Sequence, residues 1–116
     1  MFKDKNKETP NEATTNFYKY LMWKDYDGAG FYVNPIKKPL FDEMVLKNEK
    51  DLNITSYVIK EIILLDDEPT ECIIKVLLRY YKYPSVSEKT IIVENKWIKQ
   101  NKTWVIDSDF EESIYN

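Results

Sequence analysis

The chain has no histidine, one cysteine and two glycines among 116 residues. Without histidine, His-based nucleophilic triads, imidazole pH switches and the commonest zinc sites are excluded. A single thiol, Cys72, rules out an intramolecular disulfide and a thiolate metal cluster, and no metal or cofactor site is expected. Cys72 opens an apolar run and has no imidazole to activate it, so it reads as a small buried hydrophobe. Two glycines leave few positions where a positive φ comes cheaply. Arg79 is the only arginine, so sixteen of the seventeen basic residues are lysine, and the net charge is -3. Bidentate phosphate recognition and a basic face are both missing, so no nucleic-acid partner is expected. No apolar run is long enough for a membrane-spanning helix.

What is present is a core. Apolar residues make up 43% and aromatics 15%. At this length one domain buries roughly two-thirds of the surface that its unfolded chain exposes. Residues 1–8 are charged and aperiodic and read as a tether, with a single domain over 9–116. Nothing in that start has the apolar centre of a signal peptide; it fits either a native terminus or the stub after a leader or anchor.

Thr9, Pro10 and Glu12 supply an N-cap, a first-turn proline and a capping-box acid. Ala13, Phe17, Tyr20 and Leu21 then share a helical face. DYDGAG at 25–30 reads as a break or tight corner. A second helix is expected from Pro39, with Leu40, Phe41, Met44, Val45 and Asn48 on one face and Asn53 as its end signal. From Tyr57 onward four strands follow: YVIKEIILL, CIIKVLLRYYKY, TIIVENKWIK and TWVIDSDF, with turns at DDEPT, PSVSE and QNK. In the second strand Cys72, Ile74, Val76, Leu78 and Tyr80 form a clean inward face. In the third, Ile91, Val93, Asn95 and Trp97 alternate with Ile92, Glu94, Lys96 and Ile98. The class is α+β: N-terminal helices packed on a four-stranded antiparallel sheet, a sheet that the resemblance given below implies to be curved.

The segments TPNEATTNFYKYLMWKDYDGA and NKWIKQNKTWVIDSDF carry a resemblance to the nuclear transport factor 2-like superfamily. The first is similar to the opening helix and corner of small bacterial members; the second resembles their closing hairpin. The resemblance implies a cone, a bent sheet wrapped around helices. Members include ketosteroid isomerase-like and polyketide cyclase-like enzymes, and many non-catalytic domains of secreted, lipoprotein or cell-wall proteins. It therefore points to an extracytoplasmic or cell-envelope setting, in keeping with the tether-like start.

Three uses of such a cone follow from the residues. As an isomerase-, cyclase- or dehydratase-like enzyme, it would take Asp107 as general base, beside Asp109 on one strand face, with Tyr80 donating to an oxyanion and Asn95 orienting substrate. No complete catalytic pattern is matched, and solvated acids and packed tyrosines account for the same residues. As a carrier of a small apolar ligand, it would wall a pocket with Phe17, Leu21, Tyr57, Tyr80, Asn95, Trp97 and Asp107; the same side chains also serve to fill the interior. As a non-catalytic binding or assembly module, it would use a stripe of Leu77, Tyr81, Tyr83, Ile92, Ile98, Trp104 and Ile106 as an interface. A homodimer through the sheet face is the expected assembly, and a protein partner is the next. The last use is the principal expectation. The sequons Asn53-Ile-Thr and Asn101-Lys-Thr are of a kind that arises often by chance, and Asn101 is explained by its turn. The acids Asp66, Asp67, Glu68 and Glu71 lack the order of a calcium loop and read as turn charge.

Overall fold

The computed structural model describes residues 8–65, 67 and 69–116. The expected tether lies outside them except for Glu8, as do Asp66 and Glu68 of the acidic turn. Glu8 itself belongs to the fold: its carboxylate accepts from Asn16 Nδ2 at 2.8 Å and from the Tyr32 hydroxyl at 3.1 Å.

Helix α1 spans Pro10–Met22. Its start is the expected reciprocal box, Glu12 N–H donating to Thr9 Oγ1 at 3.1 Å and Thr9 N–H to Glu12 Oε1 at 3.2 Å. The buried stripe is Ala13, Thr14, Phe17, Tyr18 and Leu21, rotated from the expected one. Both stripes have three- and four-residue spacing, and the sheet lies on the side of Tyr18. Tyr20 is left partly buried and stacks on Tyr32, ring centroids 6.4 Å apart.

The expected break at 25–30 is instead helix α2, Tyr26–Gly30, and the corner falls just before it. Lys24 takes φ 58°, and Asp25 caps α2 by accepting from Gly28 N–H at 3.0 Å. Neither glycine has positive φ. Gly28 is there for closeness: a Cβ would sit 2.8 Å from the Tyr20 ring. Helix α3, Lys38–Asn48, follows a 3₁₀ turn at Pro35–Lys37 and buries Phe41, Met44 and Asn48, while Leu40 stays 39% exposed.

Strand β1 runs Leu52–Leu64, β2 Glu71–Lys82, β3 Lys89–Gln100 and β4 Thr103–Ile106. They form one antiparallel sheet in the order β1-β2-β3-β4, with the helices ahead of the strands as expected. β1 starts before Tyr57: Leu52 and Ile54 pair with Lys82 and Tyr80, and Asn53 is a strand residue rather than a helix end. Two register shifts interrupt β1, at Ile54/Ser56 and Ile59/Glu61; bulges of this kind bend and twist a strand. β2 and β3 pair without interruption from Glu71↔Ile98 to Tyr80↔Lys89.

The last strand is shorter than expected. After Ile106 the chain leaves the sheet, so Asp107 and Asp109 do not share a strand face. Phe110, at φ 55°, turns into the core, and a 3₁₀ turn at Ser113–Tyr115 seats Ile114 and Tyr115 beneath the sheet. The far side of β4 is closed by Val33, bridged in parallel to Ile106.

The helices cover the inner face. Cys72, Ile74, Val76 and Leu78 are fully buried there. Phe17 is the hub, its ring 5.1 Å from Tyr18, 6.0 Å from Trp97, 6.2 Å from Phe41 and 6.4 Å from Phe110. Trp104 and Ile106 belong to this core, not to an outer stripe, being 5% and 1% exposed. Among the described residues no helix is long and apolar enough to cross a membrane.

Candidate functional site

The expected pocket residues divide into three places. Phe17, Leu21 and Trp97 are core. Tyr57 and Tyr80 are partly buried and pack against it from the sheet. Asn95 and Asp107 each anchor a separate polar cluster. Tyr80 pairs with Lys89 and Asn95 with Ile74, so the two lie six positions apart along the sheet, roughly 20 Å. The trio Tyr80, Asn95 and Asp107 is therefore not assembled around one point.

The deeper cluster is built on Asn95. The Tyr18 hydroxyl donates to its Oδ1, and its Nδ2 donates to Glu112 Oε1 at 3.4 Å. The same Glu112 oxygen accepts from Ser108 Oγ at 3.4 Å, while Oε2 is buried and has no partner. Burial raises the Glu112 carboxyl above its ordinary range, because a charge there has lost water and has no cation partner among the described residues. Burial also raises Tyr18 and Tyr115 well above the usual phenol value, with their mutual electrostatics adding to it for Tyr18. The inward alternation of β3 placed Asn95 in the interior; nothing in the sequence marked Glu112, which lies beyond the last strand. The second cluster holds the chain's end against the 3₁₀ turn: Asn34 Nδ2 donates to Asp107 Oδ1 at 2.9 Å, and Lys37 pairs with Asp109. The two acids thus have separate partners.

Aromatic rings and aliphatic side chains share the described interior. A void between α1, α3 and the start of β1, bounded by Leu21, Met44, Ile54 and Tyr115, measures about 10 Å³, no more than one water. A larger cleft, about 580 Å³, lies outside, along β3, between Ile91–Glu94 and the turn at Glu112–Ser113.

The outer face of the sheet is striped by the register. Val58, Leu77 and Ile92 form one apolar row across three strands, with Val58 48% and Ile92 58% exposed. The next row is charged: Lys75 lies between Glu61 and Glu94, at 3.4 and 3.5 Å. Beyond it come Ile63 and Ile73, then Lys96. Of the expected interface stripe, Leu77, Tyr81 and Ile98 are partly buried on this side and Tyr83 is 48% exposed; Val58 and Ile63 were missed, because β1 alternation is scrambled by its two bulges.

No protein-family model matches the sequence. No relative is found among curated proteins. The fold is shared with the solution structure of RPA3114, a SEC-C motif containing protein from Rhodopseudomonas palustris. That match has a TM-score of 0.71 at 12% identity and covers 87% of this chain and 77% of that one.

Proposed function

We propose that the chain is a non-catalytic binding or assembly module that pairs with a second copy through its sheet. The observation that carries this reading is the outer apolar row Val58–Leu77–Ile92, which the chain's own helices leave uncovered on the opposite face. Two further observations support it. The rings around Phe17 pack against one another among the residues expected to wall a pocket. The acid–base trio of the enzymatic reading is dispersed, with Asp107 engaged by Asn34. Kinship with the nuclear transport factor 2-like superfamily draws on the quoted opening-helix and closing-hairpin segments and on the helices-first order. A place in the cell envelope draws on that kinship alone.

Sedimentation velocity over a wide concentration range tests the reading. A dimer that weakens in Ile92→Lys, with unchanged circular dichroism, is the expected result. A strict monomer at the highest attainable concentration overturns it.

A further inference from the structure

β3 is twelve residues long and β4 only four, so β4 covers just Trp97–Gln100. Asp107 N–H donates to Lys96 O at 2.8 Å, and there the cover stops. Since Lys96 presents its backbone groups to that side, so do the alternate residues Glu94, Ile92 and Thr90. Their N–H and C=O groups line a straight edge, unpaired among the described residues. Thr90, Ile92 and Glu94 are all exposed, and the 580 Å³ cleft runs beside them. β1 also has a free outer edge, but its two register shifts spoil it as a template. β3 has no such defence.

We propose that this edge is the dimer seam: residues 90–94 of β3 pair antiparallel with the same residues of a second copy, with Ile92 on the two-fold axis. The proposal rests on the reading of the chain as an assembly module and specifies how it assembles. Its occupant follows from the sequence of the edge, EKTIIVENK. A two-fold antiparallel pair must centre on one residue facing itself. Centred on Ile92, the register sets Lys89 opposite Asn95, Thr90 opposite Glu94 and Ile91 opposite Val93. Every apolar residue meets an apolar one, and no like charges meet. Centring on Ile91 sets Glu88 against Glu94; on Glu94, Glu94 against itself; on Val93, Ile92 against Glu94. Directly opposed like charges destabilise a sheet pair, so one register stands out.

The same register extends the outer stripes. Val58–Leu77–Ile92 continues into Ile92–Leu77–Val58 of the second copy, making one apolar row over six strands. The negative row ending at Glu94 runs on into the row that carries Arg79 of the second copy, since Arg79 pairs with Thr90. Three outward amides from each chain give about six backbone hydrogen bonds across the seam.

The test is amide hydrogen exchange of the full chain by NMR, at concentrations where sedimentation shows monomer and dimer. Exchange of the Thr90, Ile92 and Glu94 amides should slow by about tenfold or more as dimer forms. Ile91 and Val93, already bonded to β2, should not change in step. Ile92→Cys should also oxidise to a cross-linked dimer, since self-paired residues on a ladder lie about 5.5 Å apart between Cα atoms, within disulfide reach. A dimer whose three alternate amides stay unprotected overturns the seam and leaves the assembly module standing, built face to face. A strict monomer overturns both and leaves the edge to a foreign strand.

Discussion

Tyr18, in the first helix, donates its phenolic hydrogen to the side-chain carbonyl of Asn95 in the third strand, a buried bond spanning 77 residues of sequence. It ties the helical layer to the sheet at one point, and Asn95 passes the connection on to Glu112 near the chain's end. Helix, sheet and final turn are thereby held by one amide group.

Replacing that amide should therefore be severe. Asn95→Ala leaves the Tyr18 hydroxyl buried without its acceptor, and the penalty expected is about 1–3 kcal/mol. Urea unfolding of the variant measures it. A change below a few tenths would mean that the bond contributes nothing net.

Glu112 should make stability fall with pH. Its folded carboxyl titrates above its unfolded value because burial disfavours the charge. The folded chain thus holds that proton more tightly than the unfolded chain does. Its favourable contribution is complete below the ordinary carboxylate value and is lost as pH rises through the raised folded value. Glu112→Gln lacks this dependence. The difference in unfolding free energy between the two proteins should be flat in acid, turn against the wild type across that window, and level off above it.

The hairpin between β3 and β4 is closed by Asn101 and Lys102 at φ 49° and 70°, both in the left-handed region of a type I′ turn. Glycine suits the second position better than lysine. Lys102→Gly should stabilise by about 0.5–1 kcal/mol, read as a higher urea midpoint at unchanged slope.

The two glycines should respond differently to a methyl group. At Gly28 it meets the Tyr20 ring at 2.8 and 2.9 Å, and that ring is pinned against Tyr32. At Gly30 the nearest atom is Cε of Lys38, at 2.7 Å, the end of a flexible stem. Gly28→Ala should cost about 1–3 kcal/mol and Gly30→Ala distinctly less. Equal losses in thermal unfolding would contradict the assignment.

Much of the fold could be read where periodicity was clean. Thr9 and Glu12 marked the start of α1, and the alternation of Cys72, Ile74, Val76 and Leu78 marked the inward face of β2. What stayed hidden involved tertiary pairing. Asn53 to Ser56 look like turn residues and become strand because the end of β2 offers them a partner. The run Thr103–Phe110 alternates well enough for a strand, yet the sheet ends at Ile106, where Asn34 and Asp107 hydrogen-bond. The candidate site was legible in part. Ile92 and Leu77 could be placed on the outer face, but β1 bulges hid their neighbour Val58. Glu112 could not be placed, because a carboxylate beyond the last strand gains meaning only from the amide that reaches it.

The paired bulges of β1 have a consequence for how far association can proceed. A sheet with two straight borders can add copies without end and grow into a fibre. Here one border is irregular and the outer side of β4 is closed by Val33. If the straight border pairs as proposed, no equivalent template remains among the described residues, and growth is expected to stop at a closed pair.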